Sequence, residues 1–407
     1  MRLSDLTEAI VDCEHKTAPE GDGFAYSVGT KAMKSGRLVL AGAKPVSAET
    51  YDGWTRRMRP RPGDLILARE APVGDVIRVP DDPLVCLGQR TVLIRPDESK
   101  VHPRFLHYWL LGPDAQGVMR AQTGGATVGH LNVEDIRKLD VAPMPKSESH
   151  QAASAELLGA IDDLIENNRR RVAVLEDMAR AIYREWFVHF RYPGHQSVPL
   201  VDSTRGAIPE GWEMANLFDA ADVGFGYSFK SPQFADEGPF QVIRIRDIPV
   251  GVSGTFTDEE ADPRYAVFDD DVLIGMDGDF HMTVWTGKDA WLNQRVTRLR
   301  PKRRLSPLHL LLSIEGQIIA WNKAILGTTV AHLGKKHLEH VTVLLPDAAT
   351  LTAATESFDS LMAQRRALEQ ENRRLFTLRD LLLPKLVTGQ IDLSGLTLDP
   401  VAEAGAA

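Results

Sequence analysis

Two stretches of the chain place apolar residues at three- and four-residue spacing. Leu157, Ile161, Leu164, Asn168, Val172, Leu175, Ala179, Ile182 and Trp186 form the first stripe; Leu351, Ala354, Phe358, Leu361, Arg365, Leu368, Asn372, Leu375 and Leu378 form the second. That period predicts two long amphipathic helices with coiled-coil seams. The first is expected from about Gln151 to Phe190, roughly 60 Å at about 1.5 Å per residue. Asn168 and Asn372 interrupt the seams, where a buried amide is satisfied in one alignment only and so sets register; facing solvent is the plain alternative. Pro193 and Gly194 close the first helix, while Pro384 and Gly389 weaken and then stop the second.

Elsewhere the period is short. Leu65–Leu67, Val76–Val79, Thr91–Ile94, Val242–Ile245 and Val272–Ile274 are brief apolar or alternating runs bounded by Gly, Pro and Asp, which reads as strands and turns. Runs after Pro103 and Pro307 suit short buried helices, and Val141–Pro145 and Val341–Pro346 suit a closing strand.

The same plan occurs twice, in order. Gly125-Ala-Thr-Val-Gly-His-Leu returns as Gly327-Thr-Thr-Val-Ala-His-Leu, and Gln89-Arg-Thr-Val-Leu-Ile-Arg-Pro returns as Gln294-Arg-Val-Thr-Arg-Leu-Arg-Pro. Gly63-Asp-Leu-Ile-Leu is echoed by Asp270-Asp-Val-Leu-Ile, and Leu175-Glu-Asp-Met by Leu378-Arg-Asp-Leu. Ordered matches at a nearly constant offset imply a duplicated unit of about half the chain. The expected divisions are a globular module over 1–146, a helical spacer over 147–191, a linker over 192–208, a second module over 209–346, a second spacer over 347–391 and a loose tail over 392–407. The fold class is α+β, with two pseudo-repeated strand-rich domains separated by long helices packing as an antiparallel coiled coil.

Length and composition narrow the function. With 407 residues, 43% hydrophobic and 25% charged, the chain is an ordinary globular protein of two to three domains. Two cysteines, Cys13 and Cys86, allow neither a disulfide framework nor a zinc ribbon. The acidic N-terminus and the lack of any long apolar run point to a cytoplasmic protein without a membrane partner. A net charge of −9 ordinarily argues against a nucleic-acid partner, but distribution matters more than the total, and basic residues cluster at Arg56–Arg61, Arg169–Arg171, Arg295–Arg304 and Lys335–Lys336. Such runs are ordinarily solvated faces.

Catalytic motifs are missing from the sequence. It contains no P-loop, no G-x-G-x-x-G opening a helix, no H-E-x-x-H, and no Asn/Asp-Pro-Pro-aromatic tetrapeptide for adenine methylation. Pro96-Asp-Glu-Ser-Lys100 imitates a nuclease motif with the wrong spacing. Asp277-Gly-Asp279 with His281 imitates a metal cluster but reads equally as an acidic turn. The expectation is a non-catalytic chain with no cofactor and no metal. Two strand-rich modules spaced by long helices suit reading a linear polymer at two places, DNA first among them; a helical scaffold or regulator that binds no DNA is the alternative.

Together with the paired Gly-x-Thr-Val-x-His-Leu segments, Pro209-Glu-Gly-Trp212, Met276-Asp-Gly-Asp-Phe280, Leu175–Phe187 and Leu381-Leu-Leu-Pro-Lys-Leu-Val-Thr-Gly389 resemble the specificity subunit of type I restriction-modification systems over nearly the whole chain. The resemblance implies two target-recognition domains, each reading half of a split double-stranded DNA site. It also implies helices that set the half-site spacing and dock methyltransferase subunits, two of them, with a restriction/translocase subunit as a further partner. Adenine methylation and ATP-dependent cleavage would then belong to those partners.

DNA-contact candidates follow from residue chemistry. Gly125, Thr127 and His130, with Gly327, Thr328, Thr329 and His332, permit close backbone approach and phosphate bonds, or else form a structural turn. Gln89, Arg90, Gln294 and Arg295 offer bidentate base contacts, or brace their strands. Lys16, Thr17, Lys230 and Ser231 sit in corresponding loops, and Arg56, Arg57, Lys335 and Lys336 are phosphate candidates. Trp186, Phe187 and Phe190 are expected to pack between helices rather than to face a partner.

Overall fold

The computed structural model describes residues 1–122, 129–203, 206–325, 332–393 and 395. It divides into two compact units, Met1–Asn167 with Asn372–Ala407 and Asn168–Glu371. Both units are built on the same plan, so the duplication visible in sequence is a duplication of structure.

In the first unit a four-stranded antiparallel sheet runs in the order Thr7–Asp12, Thr91–Pro96, Leu65–Ala68, Val76–Arg78. A second sheet carries Lys44–Val46, Ala25–Val28 and Val85–Leu87, the last two parallel. Leu65–Ala68 is buried at every position, which explains why its apolar run does not alternate. Period two still sorts its side chains. Leu65 and Leu67 join Val76, Val92 and Ile94 against the helix Pro103–Leu111, through Phe105, Leu106 and Trp109, whereas Ile66 and Ala68 join Ile77, Leu93, Val28 and Val85 between the two sheets. One strand thus cements two cores, and its register cannot slip without exchanging them.

The second unit repeats this order with Ala221–Phe225, Val296–Pro301, Val272–Gly275 and Met282–Val284. Its companion sheet is Phe256–Thr257, Phe240–Ile243, Ala290–Leu292 and Ala266–Val267, again with one parallel pair. Val272 and Ile274 face the helix Pro307–Ile325, and Leu273 faces Ile243, Trp285 and Leu292. Where the first unit turns through Gly63 at φ 89°, the second turns through Asp270 at φ 73°, a residue type that tolerates the left-handed region.

The two long helices are Glu148–Tyr183 and Ala348–Val387. In the first unit His150 Nε2 lies 2.8 Å from Leu386 O, Arg379 pairs with Asp162 at 3.3 Å, and Asn372 Nδ2 donates to Ile165 O at 3.3 Å. In the second unit Asn168 Nδ2 donates to Glu371 Oε2 at 2.9 Å and Arg365 reaches Glu176 at 3.7 Å. Residue numbers rise on one helix as they fall on the other, so the pairing is antiparallel. Asn168 and Asn372 are both buried, as a register-setting role requires.

Some expectations shift. The buried seam of the first helix runs through Leu158, Ile161 and Ile165, while Leu164 is 39% exposed. Neighbouring apolar residues made the phase ambiguous by one position. The α-helix stops at Tyr183 and continues as a π turn over Arg184–Val188. Within the expected linker, Leu200–Ser203 pairs with Gly206–Pro209, and Tyr192 and Ile208 are buried beside Trp212. The second helix does run through Pro384 and ends at Val387, ahead of Gly389, as expected. Among the described residues no helix is long and apolar enough to cross a membrane.

Candidate nucleic-acid interface

At one end of the first unit's central strand, Arg69 and Glu70 follow Leu65–Ala68, and two other segments converge on them. Arg69 N donates to Arg90 O at 2.8 Å, and Leu131 N donates to Arg69 O at 3.0 Å. The backbone thereby brings Arg90 and His130 to the Glu70 carboxylate. Arg90 Nε lies 3.1 Å from Glu70 Oε2, and His130 Nδ1 lies 2.6 Å from Oε1. A carboxylate only accepts, so Nδ1 carries the proton and Nε2 faces Arg69 Nη2 at 3.4 Å. Arg90 is held at φ 68°, a conformation uncommon outside glycine and worth keeping only where the surroundings fix it.

The second unit builds the same arrangement from its own copies. Met276 N donates to Arg295 O at 2.9 Å and Leu333 N donates to Met276 O at 2.7 Å. Asp277 then accepts from His332 Nδ1 at 2.7 Å and pairs with Arg295 Nε at 3.4 Å. In each unit an arginine and a histidine, both substantially exposed, are tied to one half-buried carboxylate. The two histidines belong to the paired Gly-x-Thr-Val-x-His segments, and the two arginines to the paired Gln-Arg segments. Fixed donors at a surface are the parts that phosphate and base-edge recognition uses.

A second repeated ion pair holds the opposite end of the same strands. Arg95 grips Asp64 through Nε at 2.9 Å and Nη2 at 2.7 Å; Arg300 grips Asp271 through Nε at 2.8 Å and Nη2 at 2.9 Å. Both are bidentate, and in each the aspartate side chain is almost fully buried.

Next to the clamps the two units differ. The segment leaving the first strand of the first unit is ionic. Arg69 Nη1 donates to both Asp12 oxygens at 2.9 Å, His15 Nε2 sits 2.9 Å from Asp12 Oδ2, and Gln89 Nε2 donates to His15 O at 3.2 Å. Asp12, Cys13 and His15 each bring a ligand atom within 4.8 Å of the others, but Arg69 already supplies the positive charge that a metal ion would bring. The corresponding segment of the second unit is aromatic: Tyr227 packs on Phe229 at 4.8 Å and Tyr265 at 5.3 Å, and its hydroxyl donates to Glu259 at 2.9 Å. Hydrogen bonding to Glu259 raises the Tyr227 phenol above its ordinary pKa. Gly226 is required there, since a Cβ would stand 1.9 Å from Asn293 O.

The structure therefore brings together Gln89, Arg90 and His130 in one unit and Arg295 with His332 in the other. Lys16, Thr17, Lys230, Ser231 and Gln294 are exposed, Gln294 next to Arg295 in the chain. Arg56 bonds back to Gly53 O, and Arg57 reaches Asp12 O, Cys13 O and Glu14. Lys335 pairs with Glu339 at 3.9 Å, and Lys336 is exposed. Gly125, Thr127, Gly327, Thr328 and Thr329 lie outside the described residues. Asp277 serves the His332 clamp rather than a cluster with His281, whose ring lies 3.8 Å from Asp279. Glu70 and Asp277 were not among the DNA-contact candidates. Their signal was available, an acidic residue just after the buried central strand in both copies. Trp186, Phe187 and Phe190 pack internally, Phe187 against Tyr183, Trp212 and Phe358.

Comparison with known proteins adds an independent line. Residues 209–373 match the family described as Type I restriction modification DNA specificity domain. The chain is 30% identical over 191 residues to the EcoBI specificity subunit of Escherichia coli, a match spanning 46% of this chain and 40% of that subunit. It is 23% identical over 379 residues to the MjaIX specificity subunit of Methanocaldococcus jannaschii, covering 88% and 84% of the two chains. The crystal structure of the type I restriction-modification S subunit from M. genitalium superposes with a TM-score of 0.53 over 95% of each chain at 16% identity, a likeness of fold.

Proposed function

We propose that the chain is a specificity subunit of a type I restriction-modification system and that each of its two modules reads one half of a bipartite duplex DNA target. The observation that carries this reading is the recurrence, in two diverged copies, of one arginine and one histidine tied to a shared carboxylate at the same edge of the same sheet. Arg90 and Arg295 present guanidinium donors suited to guanine edges or phosphates, and the exposed rings of His130 and His332 are held on the same carboxylates beside them.

The two long helices, in this reading, set the gap between half-sites and dock methyltransferase subunits, two per specificity subunit, with a restriction/translocase subunit joining them. Methylation of adenine and ATP-driven cleavage belong to those partners, and this chain performs no chemistry. The net charge of −9 is offset at the duplex by positive surface on the partners and by the local clamps. The assembly works in the cytoplasm, where its DNA is.

Selection from a pool of duplexes with randomised positions, using the chain assembled with its methyltransferase subunits, tests the reading. Enrichment of two short motifs at one fixed gap is expected. No enrichment, or a single uninterrupted motif, would sink it and favour a scaffold that binds proteins alone.

A further inference from the structure

The clamps are alike in the two units, so they cannot by themselves account for two different half-sites. What differs is the segment beside each clamp. Strand pairing fixes the equivalence: Asp12 pairs with Val92 and Phe225 pairs with Thr297, which occupy the same place in the two copies of Gln-Arg-x-x-x-x-Arg-Pro. Residues 13–17 and 226–230 are therefore the same piece of backbone, leaving the same strand next to the same Gln-Arg turn. Each segment is also tied to its surroundings by a hydrogen bond, though through different groups: Gln89 Nε2 donates to His15 O in one unit, and Tyr227 N donates to Leu292 O in the other.

Resting on the half-site reading above, we propose that these two segments discriminate the bases, and that they do so by opposite chemistry. In the first unit His15 is 57% exposed, held at φ 54°, and steered by Asp12, whose charge Arg69 balances; Arg57 flanks it. This surface offers hydrogen-bond donors beside Gln89, which suits the acceptor-rich major-groove edge of guanine. In the second unit the same place holds a half-buried ring pair, Tyr227 and Tyr265, with Arg264 stacked 4.7 Å from the Tyr265 centroid and the Glu259 carboxylate behind them. Apolar rings with an acceptor suit a thymine methyl next to an exocyclic amine of cytosine or adenine.

The two clusters share no residue and lie in different units, so their substitutions act separately. His15→Gln and Glu259→Gln keep size and remove an ionisable group; Tyr265→Leu removes one ring of the second cluster and serves if Glu259 acts mainly through Tyr227. The full chain, assembled with its methyltransferase subunits, is offered duplexes randomised at every position of the unsubstituted protein's target. Expected for His15→Gln is a loss of about ten- to hundredfold preference at one base position of one half-site, with the other half-site unchanged. Glu259→Gln or Tyr265→Leu should do the same at the other half-site only. Preferences unchanged in all three variants, or weakened evenly across both half-sites, would overturn the assignment while leaving the split-site reading intact. An unsubstituted complex that selects no split motif would remove the reading itself, so the two failures are distinguishable.

Discussion

Replacing Arg95 with Met should cost far more stability than replacing Arg300, although both arginines make the same bidentate grip on an aspartate at the same point of the duplicated fold. Arg95 and Asp64 side chains are 10% and 4% exposed, and Arg95 Nη2 also donates to Arg59 O at 2.9 Å. Removing the guanidinium leaves a buried carboxylate without its cation, which costs about 3–5 kcal/mol. Arg300 is 40% exposed over a buried Asp271, so water partly replaces it and about 1–2 kcal/mol is expected. In domains of this size about 1 kcal/mol moves the midpoint by roughly 2–4 °C. Thermal melting should therefore fall by roughly 6–20 °C for Arg95→Met and by roughly 2–8 °C for Arg300→Met. Hydrogen exchange should localise the loosening to the sheet carrying the substitution. Equal losses, or a larger loss at Arg300, would refute the argument that burial and not bond geometry sets the cost.

Acidification should destabilise both units through buried histidines. Burial lowers His107 and His309 to about 4 from an ordinary 6.5; the unfolded chain takes up the proton first, so stability falls as pH drops from about 6.5 to 4. The slope is at most about 1.4 kcal/mol per pH unit per histidine, and a His107→Gln variant should show a shallower decline in melting temperature over that window. Inserting four residues after Ala160 and four at the matching level of the second helix, after Leu381, adds about 6 Å and about 40° of rotation. One added base pair turns DNA by about 34°, so the selected gap should lengthen with both half-site sequences kept; altered sequences at an unchanged gap would contradict the spacer role. Glu70→Gln should weaken selection at one half-site and Asp277→Asn at the other, as read by duplex selection, with melting shifted by only a few degrees because both carboxylates are partly exposed.

Much of this organisation was legible because it follows from periodicity and repetition. Two stripes of apolar residues announced the long helices, and four ordered echoes announced the duplicated sheets. The details that escaped depend on contacts between distant residues. Leu157 and Leu158 are equally apolar, so only packing against the second helix chooses Leu158 for the seam. The paired strands Leu200–Ser203 and Gly206–Pro209 are polar enough to pass for a linker, yet Ile208 and Tyr192 lie buried beside Trp212. Arg90, Arg295, His130 and His332 were visible as candidates, but Glu70 and Asp277, which unite them, look like ordinary turn acids until the backbone folds. The contrast between Asp12–His15 and Tyr227–Tyr265 was hidden for a different reason: diverged base readers leave no motif, and only strand pairing reveals that they occupy one place.

Mapping methylated adenines in DNA exposed to the assembled complex, before and after residues 1–146 are exchanged for the matching portion of a relative, tests the two-reader claim most directly. Modified positions should fall within two short blocks at a constant gap, and the exchange should rewrite one block while sparing the other and the gap. Both blocks changing together, or modification at one uninterrupted motif, would contradict two independent readers.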